Sequence, residues 1–198
     1  MTVNKFIRKL LNLKELFVTD FSFMFRKREL HLWVKPHKNG CRCPHCKRRG
    51  RILRTMDEPR IWRDITICGW SVFFLYRPRE ILCPTHLRIQ EDIPWADSYA
   101  RITYRLEYVL LVYCQIMTQK AAAKILHIPK STLSDMLHRT ITRIRDGHRI
   151  RKLRSVGIDE ISYAKGHKYA TVVYDLDLGR VVWVGAGKGR ETIDLFFT

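Results

Sequence analysis

Two short motifs with identical spacing carry side chains that could hold a metal ion. Cys43-Pro-His-Cys46 and Cys83-Pro-Thr-His86 each place two ligands three positions apart, so a tight turn would bring both members of a pair to one ion. Three thiolates and one imidazole suit tetrahedral Zn²⁺. Four protein ligands leave no position for a substrate water, so we expect a structural zinc site formed by Cys43, Cys46, Cys83 and His86.

The sequence leaves other assignments of these side chains open. Cys41 lies just outside the first motif and could replace Cys43, and His45 could replace His86 with poorer spacing. Unrelated surface cysteines and CxxC redox chemistry are the remaining alternatives, although no thioredoxin-like βαβ pattern surrounds either motif. Two further cysteines lie in apolar runs and are expected to be buried thiols, namely Cys68 and Cys114.

Residues 118–137 have the pattern of a helix-turn-helix. Ala122 and Ala123 are small where two helices must cross closely, and Pro129 marks the turn because it cannot extend the first helix. The alternative is an ordinary helical hairpin in a bundle. The shared core is expected to consist of Ile125, Leu126, Ile128, Leu133 and Leu137.

The second helix of this pattern would lie in the major groove of DNA, with Ser131 or Lys130 near its start. Lys130 and Arg139 suit phosphate contacts, while hydroxyl side chains could touch base edges. The predicted DNA-binding residues are Lys130, Ser131, Thr132, Ser134, His138, Arg139 and Arg143. Surrounding arginines support DNA binding over a plain hairpin: Arg101, Arg105, Arg143, Arg145, Arg149 and Arg151.

One carboxylate, Asp159, lies in an otherwise apolar stretch that is expected to begin a meander of three strands. In an RNase H-like nuclease such a strand carries the first metal-binding aspartate. Phosphoryl transfer of this kind uses two Mg²⁺ ions roughly 3.5–4 Å apart, which share a carboxylate held on a rigid strand. An ordinary strand-end acid is the alternative interpretation.

The neighbouring acids are expected to have other roles. Glu160 alternates to the other face of the strand, and Asp175 and Asp177 fall at a turn. A complete site needs two more carboxylates, and nothing after Asp194 supplies them. Because the sequence stops at Thr198 within a predicted helix, we expect a fragment that is inactive by itself.

The charge balance favours a polyanionic partner. There are 37 Lys and Arg against 19 Asp and Glu, a formal net charge of +18, and the basic residues spread through patterned segments. Such a surface attracts a phosphate backbone, although a solvated basic face or membrane-surface binding is also conceivable. The hydrophobic fraction of 46% is sufficient for a buried core.

The fold class that these patterns predict is α+β and multi-domain. Residues 1–95 form a small zinc-stabilised β domain, residues 96–150 a helical helix-turn-helix domain, and residues 151–198 the first β-meander of a truncated RNase H-like α/β domain. The longest apolar run, residues 65–76, is too short to cross a bilayer. A cytoplasmic location follows, where reduced cysteines are expected.

The stretch from Gly157 to Val182 contains Ile-Asp-Glu, Lys-Gly-His, Thr-Val-Val and Gly-Arg-Val in that order. It resembles the opening of the DDE domain in the ISL3 family of insertion-sequence transposases. The order of zinc motif, helix-turn-helix and DDE strands is similar to that family too, as is the segment from Ile93 to Thr103. The resemblance covers nearly the whole chain, but only the first half of a full-length member.

The resemblance implies that the N-terminal domains bind double-stranded DNA at terminal inverted repeats, with a homo-oligomer on DNA as one arrangement. It implies a nucleoid-associated protein without a membrane, and DNA cleavage and strand transfer by three carboxylates with Mg²⁺. Only Asp159 maps onto these carboxylates, and His86 stands where the family leads us to expect cysteine. The alternatives are a standalone DNA-binding regulator or transposition inhibitor without catalysis, and a zinc-dependent protein-interaction module.

Overall fold

The computed structural model describes residues 2–13, 16–36, 41–147 and 153–197, and for residues 144–147 it describes the backbone only. Within this part of the chain the architecture is α+β, with five α-helices and three β-sheets. The contacts divide the chain into two compact units, Met1–Thr140 and Ile141–Thr198. None of the described helices is long and apolar enough to cross a membrane.

A four-stranded sheet organises the first unit. Its strand order is β1 (Leu16–Met24), β2 (Glu29–Pro36), β5 (Trp70–Tyr76) and β4 (Arg60–Ile67). β1–β2 and β4–β5 are antiparallel hairpins, and they are joined through the parallel pair β2–β5. The first helix, α1 (Val3–Leu10), contacts β1.

The core of this unit lies on one face of the sheet because apolar residues alternate along the strands. Leu32, Trp62 and Phe74 are completely buried there. Trp95, which follows the last strand of the unit, packs its ring edge-to-face against Trp62 at 5.6 Å and against Tyr76 at 5.5 Å. The segment that leads to the helices is therefore part of the β core.

A second sheet lies next to the two cysteine motifs. Its order is β3 (Arg51–Thr55), β6 (Arg79–Cys83) and β7 (Leu87–Gln90), all antiparallel. The first motif precedes β3, and the second spans the β6–β7 turn. The buried carboxylate of Glu91 accepts hydrogen bonds from the Tyr76 hydroxyl at 2.7 Å and from the Arg79 guanidinium, also at 2.7 Å. The hydrogen bond from Tyr76, the last residue of β5, joins the second sheet to the first, and the ion pair with Arg79 holds Glu91 in place.

Three helices follow: α2 (Tyr104–Ile116), α3 (Gln119–Ile125) and α4 (Lys130–Gly147). Threonine hydroxyls cap the first two, since Thr103 accepts from the Leu106 amide and Thr118 from the Ala121 amide. The buried residues of this helical cluster are Ile102, Leu106, Leu110, Ala123, Ile128, Leu133 and Met136, with Leu126 and Leu137 partly buried beside them.

Two predictions about burial are wrong. Ile125 is 52% exposed, because α3 turns Ala123 inward and a residue two positions later points about 200° away around the helix. Cys68 is exposed in the turn between β4 and β5, where it and Gly69 adopt φ values of 49° and 78°. Two positive φ angles are typical of a two-residue hairpin turn. The apolar residues on either side of Cys68 suggested burial and gave no sign of this turn. Cys114 is half-buried.

A buried carboxylate fastens the helices to the first sheet. Asp64 on β4 accepts a hydrogen bond from the Thr103 hydroxyl at 2.5 Å, and its other oxygen lies 3.6 Å from the Arg105 guanidinium. Burial raises the pKa of Asp64, and Arg105 and Thr103 oppose that rise. Arg63 adds backbone hydrogen bonds to the residues that precede α2.

The second unit is a three-stranded meander followed by one helix. β9 (Lys168–Asp175) lies between β8 (Val156–Ala164) and β10 (Arg180–Ala186), and both pairs are antiparallel. α5 (Arg190–Phe197) packs on β10, where the rings of Trp183 and Phe196 are 5.8 Å apart. The strand, turn, strand, turn, strand order matches the sequence prediction.

Candidate metal centre and nucleic-acid interface

The structure brings together the four side chains that the motif spacing selected. One ligand atom from each of Cys43, Cys46, Cys83 and His86 lies within 4.8 Å of all the others. The Cys46 and Cys83 sulfurs are 3.5 Å apart, and Nδ1 of His86 is 3.6 Å from the Cys43 sulfur and 3.8 Å from that of Cys83. The four donors therefore form a compact cluster.

Both halves of the cluster depend on the same local backbone geometry. In each motif the residue after the second ligand is left-handed, Lys47 with φ 57° and Leu87 with φ 55°. The Lys47 amide donates to the Cys43 carbonyl at 2.9 Å, and Leu87 pairs with Cys83 across the β6–β7 hairpin. Each turn thus folds its two ligands onto one side.

The donor chemistry of the cluster fits Zn²⁺. With Zn–S distances of about 2.3 Å, a tetrahedral site places its ligand atoms roughly 3.8 Å apart, close to the distances observed. Burial raises the pKa of the Cys83 thiol, but hydrogen bonds from the His86 and Thr85 amides and the His86 ring outweigh it and bring the pKa to about 6. A thiolate is the form that binds a metal.

The two alternative ligands lie elsewhere. Cys41 is buried outside the cluster, and burial, together with the nearby Glu91 carboxylate, raises its pKa to about 11. The His45 ring is exposed and lies 5.1 Å from the His86 ring, centroid to centroid. Neither residue belongs to the group of four.

The predicted recognition helix α4 begins at Lys130, directly after Pro129. Most of its predicted DNA contacts are exposed, while Thr132 is half-buried. Arg139 is also half-buried, and its guanidinium lies 3.4 Å from the buried carboxylate of Glu107 on α2. The exposed members of the predicted set are Lys130, Ser131, Ser134, His138 and Arg143.

The turn between α3 and α4 has a defined geometry. His127 is left-handed with φ 50°. Its amide donates to the Lys124 carbonyl, and the Ile128 amide donates to the Ala123 carbonyl at 2.9 Å. These two bonds form a Schellman motif, which ends α3 sharply and fixes the angle at which α4 leaves it.

The surrounding arginines differ in their roles. Arg101 is exposed, whereas Arg105 donates to the Leu11 carbonyl at 2.8 Å and lies beside Asp64, so it holds the unit together. Arg149 and Arg151 lie outside the described residues, as does the Arg145 side chain. One basic segment was not predicted, the exposed run Arg26-Lys27-Arg28 between β1 and β2, although its charges are visible in the sequence.

Asp159 is exposed on β8, and its Oδ1 accepts a hydrogen bond from the Glu160 amide at 2.8 Å. It pairs with Val172 across the sheet, so both side chains lie on one face. Glu160 lies on the other face, where its carboxylate accepts from the Gly189 amide at 2.7 Å. Asp175 accepts from the Asp177 and Leu178 amides, as expected of a turn residue.

A two-metal Mg²⁺ site needs more carboxylates than this strand provides. In the described part of the chain, no group of three or more ligating side chains includes Asp159. These residues therefore offer one ligand for Mg²⁺ and do not make a complete site.

The sequence matches two families. Residues 91–141 match the helix-turn-helix domain of transposase family ISL3, and residues 156–198 match the ISL3 DDE transposase family. A helix-turn-helix is a DNA-binding fold, and DDE transposases use divalent metal ions. No solved structure matches the chain.

Two transposases are similar over most of the chain. The transposase for insertion sequence element IS1557 of Mycobacterium tuberculosis is 32% identical over 79% of this chain. The transposase for insertion sequence element IS1001 of Bordetella parapertussis is 29% identical over 86% of it. The matched regions are 35% and 42% of those proteins, so the chain spans well under half the length of the curated relatives it matches.

Proposed function

Because this chain belongs to the ISL3 family of insertion-sequence transposases, we propose that it binds the terminal inverted repeats of its element as the DNA-recognition part of a transposase. The observation that carries this proposal is the exposed face of α4. That face begins with Lys130, continues with Ser131 and Ser134, and follows a sharply defined turn. The net charge of +18 supports a phosphate-rich ligand.

In this proposal Zn²⁺ is a structural ion. Cys43, Cys46, Cys83 and His86 would hold it, and when bound it supplies a cross-link between the two motifs of the second sheet. Because four protein side chains complete the coordination, the ion takes no part in chemistry on DNA. The cluster would stabilise the β domain on which the helices are mounted.

Asp159 is proposed to be the first of the three carboxylates that bind Mg²⁺ for DNA cleavage and strand transfer. Its exposed position on a sheet strand supports this role, and an RNase H-like domain would provide the other two ligands. We place the protein in the bacterial cytoplasm with the nucleoid, because its proposed ligand is chromosomal DNA. We also propose that several copies assemble on the DNA.

Selection from a random duplex library tests the recognition step. We expect the chain to enrich one sequence and its affinity to fall steeply with salt. Lys130→Ala should weaken binding to all duplexes alike and reduce the salt slope by about 1, whereas Ser134→Ala, which removes one hydroxyl, should relax the preference at one base pair by about 0.5–1.5 kcal/mol. Lys168→Ala removes the same charge from β9 and is the control for Lys130.

The results separate the alternatives. Enrichment of a sequence, with no strand transfer even when an RNase H-like domain supplies the other two carboxylates, would favour a regulator of transposition without catalysis. Affinity for DNA that is absent, or does not change with salt, would contradict the proposal and favour a zinc-dependent protein-interaction module.

A further inference from the structure

The tip of the β1–β2 hairpin exposes an aromatic side chain. After β1 the chain makes one 3-10 turn, Phe25–Lys27, and Arg28 returns it to β2 with a left-handed φ of 52°. Phe25 is 74% exposed at this tip, and Met24 beside it is also exposed. Most of the surface of this large apolar side chain is therefore available to a partner.

The tip is rigid. The Arg28 amide donates to the Phe25 carbonyl at 3.2 Å, and the Arg28 carbonyl accepts from the Ser71 amide of β5 at 2.8 Å. The Phe25 ring packs edge-to-face on Trp70 with centroids 5.4 Å apart, and Phe23 packs on the same indole at 5.3 Å. Phe25 is therefore held in position before any partner binds.

The chemistry around Phe25 is cationic. Arg26, Lys27 and Arg28 follow it directly and are all exposed. The next acidic residue is Glu29, whose carboxylate lies 3.0 Å from Nε2 of His31. An exposed aromatic ring flanked by three positive charges is complementary to stacked bases between phosphates.

The tip and the helix-turn-helix meet the same part of the first sheet. On β4 the Arg63 guanidinium donates to the Leu126 carbonyl at 3.5 Å, and Ile65 packs against the helical core. Thr66 pairs with Ser71 on β5, next to Trp70. β4 and β1 are three strand spacings apart, about 14 Å. One helical turn of DNA is about 34 Å long, so a single duplex is long enough to reach both the helix-turn-helix and the tip.

We propose that the hairpin tip is a second DNA-contacting site, which inserts Phe25 as a wedge between two base pairs of the duplex held by α4. Arg26, Lys27 and Arg28 contact the phosphates on either side, and the duplex bends away from the tip. This inference rests on the proposed binding of duplex DNA by the helix-turn-helix. Apolar wedges of this kind kink DNA by roughly 20–90°.

Energy transfer between dyes at the two ends of the selected duplex measures the bend, with the full chain at saturation. Wild type is expected to raise the transfer efficiency, Phe25→Ala to abolish the rise and weaken binding roughly tenfold, and Phe25→Leu to retain most of the bend because leucine also wedges. Phe17→Ala, a partly exposed phenylalanine at the other end of the same strand, is the control and should bend DNA normally.

Each outcome decides between the possibilities. A wild-type chain that binds the selected duplex without bending it, or a Phe25→Ala chain that bends it fully, overturns the wedge and leaves the proposed function intact. If selection enriches no sequence but a mixed-sequence duplex is bent in a Phe25-dependent way, the wedge stands and the proposed recognition fails. Phe25-dependent binding to anionic phosphatidylglycerol vesicles with an unbent duplex would assign the tip to a membrane surface.

Discussion

At the scale of residues, ligand spacing proved more informative than composition. Two motifs with the same spacing favoured Cys43, Cys46, Cys83 and His86, the side chains that the structure gathers within 4.8 Å. The choice between Cys41 and Cys43 could not be made from sequence, because it depends on which sulfur a turn directs toward the second motif. The same limit applies to Asp64, whose burial beside Thr103 and Arg105 arises from distant parts of the chain.

Loss of one ligand is expected to abolish zinc binding and most of the stability of the β domain. Cys46→Ser should release the metal and lower the unfolding free energy by at least ~3 kcal/mol, because structural zinc contributes directly to folding. Metal content by atomic absorption and thermal unfolding by circular dichroism measure both effects. Cys68→Ser, in an exposed turn, is the control; equal losses in both variants would contradict a zinc site.

The pKa of Asp64 gives a pH dependence with a definite sign. Because burial raises this pKa in the folded chain, the contribution of Asp64 to stability is complete below its unfolded pKa of about 3.9 and is lost as the pH rises through the folded pKa. Asp64→Asn keeps a hydrogen-bond acceptor for Thr103 and does not ionise. Denaturant unfolding should therefore show that the unfolding free energy of the variant rises relative to that of wild type as the pH rises from ~4 to ~7. A difference between the two that does not change with pH would contradict this prediction.

At the scale of elements, local sequence signals predicted the secondary structure well where residues close in sequence determine it. Pro129 indicated where α4 begins, and the apolar stretch around Asp159 indicated the meander of β8, β9 and β10. The left-handed conformation of His127 was not predicted, because even histidine, which is enriched among non-glycine residues with positive φ, adopts it only rarely. The position of Ile125 was missed for a related reason, since the inward face of a short helix is chosen by what it packs against.

Replacement of two histidines by glycine should have opposite effects in this helical segment. His127→Gly is expected to raise the unfolding free energy by ~0.5–1 kcal/mol, because glycine adopts the left-handed C-terminal position without strain. His138→Gly, in the exposed interior of α4, should lower it by about 0.5–1 kcal/mol. Urea unfolding measures both, and destabilisation by His127→Gly would show that the imidazole makes a contribution of its own.

At the scale of the whole molecule, the pairing of strands that are distant along the chain could not be predicted from the sequence. The parallel pair β2–β5 joins two hairpins and creates the sheet that carries the helices. No local pattern encodes that partnership, because it is selected by the combined burial of both hairpins. The α+β class could be predicted, since it needs only the identity of the elements and not their neighbours.

Binding of duplex DNA should stabilise the folded chain in a salt-dependent way. At a duplex concentration of about 100 times the dissociation constant, linkage predicts a gain of about 2.7 kcal/mol. Because the chain carries a net charge of +18, this gain should disappear as salt weakens the complex. Thermal unfolding with and without the selected duplex at two salt concentrations measures it, and an unchanged gain at high salt would speak against phosphate contacts.

The proposed metal cross-link also makes folding depend on the supply of zinc. The two motifs close a loop of roughly 40 residues, and bringing its ends together on folding costs about 4 kcal/mol of chain entropy, which metal binding would offset. β4 and β5, which contact the helices and support the hairpin tip, lie within that loop. Zinc would therefore decide whether the DNA-reading surfaces form at all, and in a zinc-starved cell few newly made chains would reach the DNA-binding form.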